Sequence, residues 1–279
     1  MLLCCRCNSC NAYHCDREHH IVEKEPELID KRRTEMETKG YTDIHTHILP
    51  GIDDGSKDWE MTENMLRAAV MQGVETIIAT PHNYPGRTPQ DSDKIRRLCE
   101  ETQKIGQKIL PSLRVMTGNE ILYRPEVTKE LASGHALTLA DSSYVLIEFL
   151  PRESFRVILE GMNELLENGY YPVLAHVERV KEVFDSEDNI SRLLRMGCCL
   201  QSNCGSLMGN LFDRRSARLR KMITKRQIHF LGSDCHNTQS RPPVYDDCIR
   251  SLKKKVSQDI LDQLLYKNPK QLQSDDYIL

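Results

Sequence analysis

The sequence places metal-ligand residues at the ends of short apolar stretches. His45 and His47 are one residue apart in the stretch 42–47. Alternate side chains of a β-strand point to the same face, so both imidazoles would be directed toward one point while Ile44 points the other way. Two histidines alone would equally fit a polar strand end with solvated rings. Five later apolar runs, however, also end in a possible ligand, the second of them less cleanly: residues 76–82, 114–120, 144–148, 172–176 and 230–236.

These positions supply nine candidate metal ligands: His45, His47, Asp54, His82, Glu120, Glu148, His176, Asp234 and His236. Nine donors are too many for one tetrahedral ion, but they suit two or three ions bridged by a carboxylate and a hydroxide. The oxygen-rich mixture favours Mn²⁺ or Fe, with Zn²⁺ as a further alternative. Such a cluster lowers the pKa of a bridging water and holds the attacking and leaving oxygens of an in-line displacement. This chemistry predicts phosphoester hydrolysis.

Two arginines near the proposed ligands are candidates for binding the phosphate. Arg179 follows His176 by three residues, and Arg241 follows His236 by five. A guanidinium group matches phosphate in a bidentate geometry that lysine lacks. We therefore predict that both arginines act directly on the substrate.

Each of these residues also has a simpler interpretation. Arg179 could pair with a neighbouring glutamate at 178 or 182, and Glu120 and Glu148 could be surface residues at strand ends. His135 and His229 lie outside the pattern of strand ends, and we interpret both as structural. Taken together the simpler interpretations weaken, because nine independent accidents would all have to fall at the same end of the strands.

The elements that must position these residues alternate between strand and helix. After a first strand around residues 42–47, the patterns predict strands at residues 75–79, 113–117, 144–149, 171–175, 198–202 and 228–232. Helices are predicted at residues 59–73, 90–109, 125–133, 154–168, 188–196, 216–225 and 246–266. This alternation is typical of a parallel sheet with helical crossovers. We predict an α/β fold that closes as a single distorted barrel of about seven strands, with the metal site at their C-terminal ends.

Composition limits the classes of partner. The 279 residues carry a formal net charge of −3, so no basic excess indicates nucleic acid or an anionic membrane as a partner. No apolar run approaches the ~20 residues of a membrane span, and no apolar core of a signal peptide is found at the start. We therefore expect a cytoplasmic protein. Its 11 cysteines are an odd number, which fits reduced thiols better than disulfides.

Residues 1–40 are interpreted as an extension that precedes a domain at residues 41–279. Five cysteines fall within the first fifteen residues and could bind zinc, but only Cys7 and Cys10 are well spaced and no second pair matches them. Residues 21–40 are rich in charge, with 11 charged side chains, so we expect a disordered or artefactual extension. Met36 stands just before the first strand, and translation from there would still give a complete barrel.

Cys235 and Arg241 have the spacing of the Cys-x5-Arg loop of thiol-based tyrosine phosphatases. Such a loop cradles phosphate with successive backbone N–H groups and usually needs glycine. Residues 236–240 contain none. A thiolate mechanism is therefore disfavoured, and Arg241 can bind phosphate in either case.

The combined pattern resembles the polymerase and histidinol phosphatase (PHP) superfamily. The matching motifs are DIHTH at residues 43–47, TPH at 80–82, GNE at 118–120, AH at 175–176 and SDCH at 233–236. Within that group the chain is most similar to the manganese-dependent protein-tyrosine phosphatases of bacterial capsular and exopolysaccharide operons. That likeness rests on residues 45–55, 146–149, 175–179, 234–237 and 241–243, and it extends from residue 41 nearly to the C-terminus.

The resemblance implies a site with three ions. The first would be held by His45, His47, Glu120 and Asp234, the second by Glu120, Glu148 and His176, and the third by Asp54, His82 and His236. Arg179 and Arg241 would bind phosphate and stabilise its transition-state charge. The implied substrate is the phosphotyrosine-rich tail of a membrane-associated bacterial tyrosine kinase that controls polysaccharide polymerisation. A homo-oligomer is expected by analogy only.

Three other functions compete with this one. Histidinol-phosphate phosphatase would use the same metals on a small amine, but its pocket should carry an acidic group for that amine. A nuclease-like or editing PHP domain is disfavoured by the acidic net charge. A non-catalytic binding module on the same barrel is disfavoured because all nine ligands are present.

Overall fold

The computed structural model describes residues 40–86, 91–209 and 213–278. The predicted N-terminal extension at residues 1–40, with its cysteine cluster and Met36, lies outside the described residues except for Gly40. Gln90, the first residue of a predicted helix, also lies outside them. Residues 40–279 form one compact unit. Among the described residues, no helix combines the length and the apolar character that crossing a membrane would require.

The described part of the chain contains nine β-strands. In chain order they are β1 (Tyr41–Thr46), β2 (Val74–Ala79), β3 (His82–Asn83), β4 (Arg114–Thr117), β5 (Glu120–Leu122), β6 (Tyr144–Glu148), β7 (Tyr171–Leu174), β8 (Cys199–Asn203) and β9 (Phe230–Gly232). The seven predicted strands all form, with bounds that differ by two residues at most. The two additional strands, β3 and β5, are short.

Helices connect these strands as predicted. They are α1 (Trp59–Met71), α2 (Ser92–Ile109), α3 (Val127–Ser133), α4 (Phe155–Glu167), α5 (Lys181–Phe184), α6 (Glu187–Arg195), α7 (Arg214–Thr224), α8 (Tyr245–Lys253), α9 (Gln258–Asp262) and α10 (Asn268–Gln273). The short helix α5 was not predicted. The predicted final helices at 246–266 continue to residue 273 through a π-helical segment, Gln263–Lys267.

All strand pairs are parallel, but they form two sheets instead of one closed barrel of seven strands. One sheet has the order β1-β2-β4 and the other β3-β5-β6-β7-β8-β9. A single bridge between Thr46 and Cys235 connects β1 to the segment after β9. The count differs from the prediction because two of the apolar runs are broken near their ends. Pro81 lacks an N–H for the ladder, and the chain restarts after it as β3, which pairs with β5.

Helix starts follow local capping rules. Five helices begin after an aspartate or serine whose side chain accepts a backbone N–H of the first turn; these residues are Asp58, Asp91, Ser154, Ser186 and Asp213. Each such cap typically contributes about 1 kcal/mol. The caps explain why the predicted helix starts lie close to the observed ones.

Most strands are buried on both faces, as expected for a parallel sheet covered by helices, and β4, with Arg114 exposed, is the exception. One core cluster joins residues of β1, β2, β6, β7 and β9, including Ile44, Ile78, Leu146, Val173 and Phe230. Each of these side chains is almost fully buried. This core holds the strand ends in fixed positions, and the polar residues that follow the strands lie at one end of the sheets.

Candidate metal centre

The nine predicted ligands come together at the C-terminal ends of the strands. His45 is the last residue but one of β1 and has no exposed surface, and His47 follows β1 directly, also fully buried. Two glycines leave room for these rings. A Cβ atom at Gly55 would lie 2.1 Å from the backbone oxygen of His47, and one at Gly232 would lie 2.6 Å from the Cβ of His45. Any larger residue at either position would displace a histidine.

Two other candidate ligands have left-handed backbone conformations. His176 follows β7 with φ of 29°, and Asp234 follows β9 with φ of 51°. Positive φ is strained for residues other than glycine, by roughly 1 to 3 kcal/mol, and such strain clusters at functional sites. In both cases the strained turn begins where the strand ends, and the side chain enters the buried cluster.

The innermost group contains His45, His47, Glu120 and Asp234, whose ligand atoms lie within 4.8 Å of one another. The Nε2 atoms of the two histidines are 3.4 Å apart. Oε2 of Glu120 is 3.2 Å from each of them. Oδ1 of Asp234 is 3.6 Å from Nε2 of His45 and 3.5 Å from Nε2 of His47. All four side chains are buried.

The hydrogen bonds at the Nδ1 atoms of His45 and His47 determine what their Nε2 atoms can bind. Nδ1 of His45 lies 3.3 Å from Oε1 of Gln201, an oxygen that also accepts the backbone N–H of His176 at 2.6 Å. Nδ1 of His47 lies 2.7 Å from Oδ2 of Asp53. Because oxygen only accepts in these contacts, both Nδ1 atoms carry a proton, and Nε2 is the nitrogen that each ring directs at a cation in the cluster. Lone pairs directed at one another and at carboxylates fit a shared cation.

Electrostatics favour positive charge at the same point. Burial lowers the pKa of His47, but hydrogen bonds to Asp234, Asp53 and Glu120 outweigh it and hold that pKa well above its ordinary value. Burial likewise opposes ionisation of Glu120, yet the charge of His45 and the hydrogen bond from His176 hold the pKa of this carboxyl well below its usual range. Buried carboxylates that stay ionised among imidazoles are typical of metal sites.

A second group lies nearer to solvent and contains His47, Asp54, His82 and His236. Oδ1 of Asp54 is 3.3 Å from Nε2 of His82 and 3.3 Å from Nε2 of His236. Nδ1 of His236 lies 3.0 Å from the backbone oxygen of Asp234, so this ring too presents Nε2 to the site. Burial, with the nearby charge of His47, lowers the pKa of His236 to about 4 and keeps the ring neutral, as a metal ligand must be.

Glu120 connects these groups to Glu148 and His176. A third possible metal group consists of His82, Glu120 and Glu148. Nε2 of His176 is 2.6 Å from Oε1 of Glu120 and 3.6 Å from Oε1 of Glu148. Burial and the neighbouring Glu120 charge raise the pKa of Glu148, which is the effect expected where carboxylates share a site. Glu120 therefore lies within 3.2 Å of four histidines, His45, His47, His82 and His176, at the centre of the cluster.

Both predicted arginines lie at the mouth of this cluster and bind the same carboxylate. Nη2 of Arg179 is 2.6 Å from Oδ2 of Asp234, and Nη2 of Arg241 is 2.8 Å from Oδ1. Their side chains are 40% and 38% exposed, so each guanidinium also faces solvent. The suggested pairing of Arg179 with a neighbouring glutamate is wrong, because Asp234 takes that place. Two half-exposed guanidinium groups therefore form a cationic rim beside a buried cluster, and guanidinium forks match phosphate oxygens in geometry.

Four residues of the site were not predicted from the sequence. Asp53 holds His47, and Gln201 holds His45 and the turn at His176. Asn203 donates to Oδ2 of Asp234 at 2.7 Å and accepts from Gln201 at 2.9 Å. The sequence carried one signal for Gln201 and Asn203, which are polar residues two positions apart at the end of β8. This was the one predicted strand end to which we assigned no ligand.

Asp43 is the fourth of these residues. Its Oδ1 accepts the backbone N–H of His45 at 3.2 Å and that of Ser233 at 3.0 Å. It therefore ties the end of β1 to the turn after β9, where Asp234 and His236 are carried. Burial raises the pKa of Asp43 despite these hydrogen bonds.

Cys235 does not have the environment of a nucleophile. Cys235 is 2% exposed, and its Sγ donates to the backbone oxygen of Asn237 at 3.5 Å. Burial and the nearby Asp43 charge raise the pKa of the thiol far above its usual range. A reactive cysteine needs a lowered pKa. His135 and His229, interpreted as structural, are absent from all three candidate metal groups of the described residues.

Comparison with known proteins agrees with this geometry. The tyrosine-protein phosphatase CpsB of Streptococcus pneumoniae is 31% identical over 241 residues, which is 85% of this chain and 99% of that protein. The tyrosine-protein phosphatase YwqE of Bacillus subtilis is 34% identical over 218 residues, covering 78% of this chain and 86% of that protein.

A solved structure is also similar. It comes from a crystallographic study of YwqE and CpsB as unique metal-dependent tyrosine phosphatases, and it superposes with a TM-score of 0.77 at 33% identity, covering 85% of this chain and 96% of that one. A sequence model of the family described as "Capsular polysaccharide synthesis, CpsB/CapC" matches residues 41–274. The chain therefore belongs to the CpsB/CapC family of capsular polysaccharide synthesis.

Proposed function

We propose that this chain is a metal-dependent protein-tyrosine phosphatase that hydrolyses phosphotyrosine without a cysteine nucleophile. One observation carries the proposal: Gln201 and Asp53 hold Nδ1 of His45 and His47, so both Nε2 atoms face Glu120 at 3.2 Å, beside two arginines that bind Asp234. A buried cation site next to a cationic rim is suited to phosphate monoesters. The names of the relatives supply the tyrosine specificity.

The nine predicted ligands divide into sets that fit two or three ions. The first ion would take His45, His47, Glu120 and Asp234; the second Glu120, Glu148 and His176; the third Asp54, His82 and His236. The proximity of these donors supports the first and third sets, while His82 also lies near the second. Mn²⁺ suits this mixture of imidazole and carboxylate, and Fe or Zn²⁺ are the alternatives.

Bound divalent ions would supply Lewis acidity toward the phosphate and lower the pKa of water. The chain's own residues do the remaining work. Arg179 and Arg241 place guanidinium donors where phosphoryl oxygens enter, and they are held there by Asp234. Their fixed position means that charge developing on the phosphate meets donors already in place, an effect worth about 3 to 4 kcal/mol for one such donor.

The natural substrate that we propose is a phosphotyrosine-containing bacterial tyrosine kinase that regulates capsular or exopolysaccharide synthesis. The family description and the phosphatase names of the relatives support this choice. The proposal places the enzyme in the cytoplasm, where ATP-dependent kinases act, with residues 41–279 as the phosphatase domain. Self-association into a homo-oligomer is part of the proposal by analogy with the family.

We also propose that the two sheets together form a distorted PHP-type (β/α)7 barrel. The bridge between Thr46 and Cys235 supports closure between β1 and β9. If β2 with β3 and β4 with β5 are each counted as one interrupted strand, the nine strands reduce to seven. On this view the ligands all lie at the C-terminal mouth, where barrel enzymes carry their active sites.

The test is a set of initial rates on a phosphotyrosyl peptide and on histidinol phosphate, each with Mn²⁺ and with a chelator. We expect preference for the peptide and loss of activity with chelator. Preference for histidinol phosphate would replace the tyrosine-phosphatase assignment with that of a histidine-biosynthesis enzyme. Chelator-resistant activity would contradict the metal mechanism, and bound metal without any turnover would indicate a binding module.

A further inference from the structure

A cationic cleft lies beside the metal centre and shares Arg179 with its rim. We call it the arginine cleft, a cavity of about 450 Å³ whose cationic lining consists of Arg152, Arg179, Lys181, Arg214, Arg215 and Arg218. These residues come from the loop after β6, from the segment after β7 and from α7. None except Arg179 is used by the proposed phosphatase chemistry.

The positive charge of the arginine cleft is largely uncompensated. Its lining sets two carboxylates against six cationic side chains: Oδ2 of Asp185 lies 3.0 Å from Lys181 Nζ, and Oε1 of Glu178 accepts the backbone N–H of Asn203 at 3.0 Å. Within the described part of the chain, Arg152, Arg214 and Arg215 form no salt bridge. The whole chain carries a net charge of −3, so this concentration of arginine is local and contrasts with the rest of the protein.

The guanidinium group of Arg218 is held in place, and one of its N–H donors meets no acceptor among the described residues. Its Nε donates to the backbone oxygen of Phe184, and its Cζ lies 5.4 Å from the centre of the Phe184 ring. Its Nη2 is buried and lacks a hydrogen-bond partner among the described residues. A buried donor without an acceptor is destabilising, and an oxygen of a bound ligand would recover that cost. The guanidinium is thus oriented before any ligand arrives.

We propose that the arginine cleft binds a second phosphate group, carried on the same peptide as the phosphotyrosine that enters the metal centre. A phosphate monoester has a charge of about −1.5 to −2 and three strong acceptor oxygens, which guanidinium forks match. Because Arg179 borders both sites, one extended peptide can reach from one to the other. The inference rests on the proposed function and deepens it, since the enzyme would prefer multiply phosphorylated tails.

Binding tests this without requiring turnover. Labelled peptides carry phosphonomethyl-phenylalanine, a phosphotyrosine analogue that cannot be hydrolysed, at one position or at two positions spaced two to six residues apart, which spans ~7 to ~20 Å when extended. Fluorescence anisotropy with the full chain loaded with Mn²⁺ gives Kd for each. We expect at least ~10-fold tighter binding of the best doubly substituted peptide, as two linked charge-assisted contacts would give.

Two variants on α7 provide a matched comparison. The first variant combines Arg214→Gln with Arg215→Gln and removes two charges from the arginine cleft. The second combines Arg220→Gln with Lys221→Gln and removes two charges from a part of the same helix that lines a different cavity. We expect the first pair to abolish the advantage of the second phosphonate and the second pair to preserve it. Turnover of p-nitrophenyl phosphate should be the same in both, because none of the four residues contacts a candidate ligand.

Three results would overturn the proposal: equal Kd for singly and doubly substituted peptides at every spacing, equal loss of the advantage in both variant pairs, or no measurable binding. The second result would indicate general attraction of the protein for a polyanion instead of a specific site. Raising the salt concentration would then weaken peptide binding by both variant pairs alike. Failure of the proposed phosphatase function would appear separately, as absent hydrolysis of phosphotyrosyl peptide in the rate assay.

Discussion

Oδ2 of Asp53 lies 2.7 Å from Nδ1 of His47 and also accepts the backbone N–H of His82 at 3.1 Å. One carboxylate oxygen therefore orients two histidines of the cluster without belonging to any of the candidate metal groups. Burial opposes ionisation of Asp53, but the hydrogen bond and charge of His47 lower the pKa of the carboxyl, so it is an acceptor at neutral pH.

We expect Asp53→Ala to weaken Mn²⁺ binding by about 10- to 100-fold, as loss of a carboxylate that orients a histidine ligand typically does. Titration calorimetry on the metal-free chain measures the change. Asp53→Asn is the control, because its amide oxygen can still accept from Nδ1 and should preserve most of the affinity. Unchanged affinity in Asp53→Ala would contradict the role assigned to this hydrogen bond.

Arg179→Ala should lower kcat/KM on a phosphotyrosyl peptide by more than ~10²-fold, as for loss of a transition-state donor. Metal content should stay intact because Asp234 keeps Arg241 at 2.8 Å and Asn203 at 2.7 Å. Elemental analysis beside the kinetics separates the two effects. Arg179→Lys should restore the rate only in part, since an ammonium lacks the bidentate fork. Near-normal turnover in the alanine variant would be incompatible with phosphate binding by Arg179.

Replacing the buried thiol should leave catalysis unchanged. Cys235→Ser keeps the size of the side chain, and we expect kcat to change by less than ~3-fold while chelator still abolishes activity, because burial holds the thiol protonated. The comparison is made against the Arg179→Ala variant in the same assay. A loss of kcat of the size expected for a missing nucleophile would revive a cysteine mechanism.

Acid should destabilise the fold partly through His229. Its Nδ1 accepts the backbone N–H of Leu200 at 3.1 Å, so the native ring is neutral, and burial lowers its pKa from 6.5 to about 4. The unfolded chain binds this proton near pH 6.5 and the folded chain only near pH 4. The stabilising contribution is therefore complete above pH 6.5 and is lost as pH falls to about 4, up to about 3 kcal/mol in all.

Urea unfolding of wild type and His229→Gln between pH 4 and pH 7 measures this contribution. The stability difference between the two proteins should shrink as pH falls through that window. His135→Gln, a replacement of an exposed histidine, is the matched control and should show a smaller change. A difference between wild type and His229→Gln that does not vary with pH would contradict the assignment.

Local sequence was sufficient for most of the elements and for placing the candidate ligands at strand ends. Alternation in β1 places His45 and His47 on one side of the chain, and parallel strands bring their C-terminal ends together. Helix bounds were close because capping residues such as Asp58 and Ser154 act within one turn. Two short strands were not predicted, because Pro81 and residues 118–119 divide runs whose pattern continues across the break into β3 and β5.

The types of candidate ligand and their places after the strands follow from residue order alone, and they predict a metal centre that acts on phosphate. The packing of distant elements decided which nitrogen each histidine presents, because the contact of His45 with Gln201 spans 156 residues of chain. It also decided that Arg179 binds Asp234 instead of a neighbouring glutamate, and that α7 brings its arginines beside the same rim. Patterns of periodicity describe one element at a time, whereas hydrogen-bond partners and electric fields depend on which elements the core packs together.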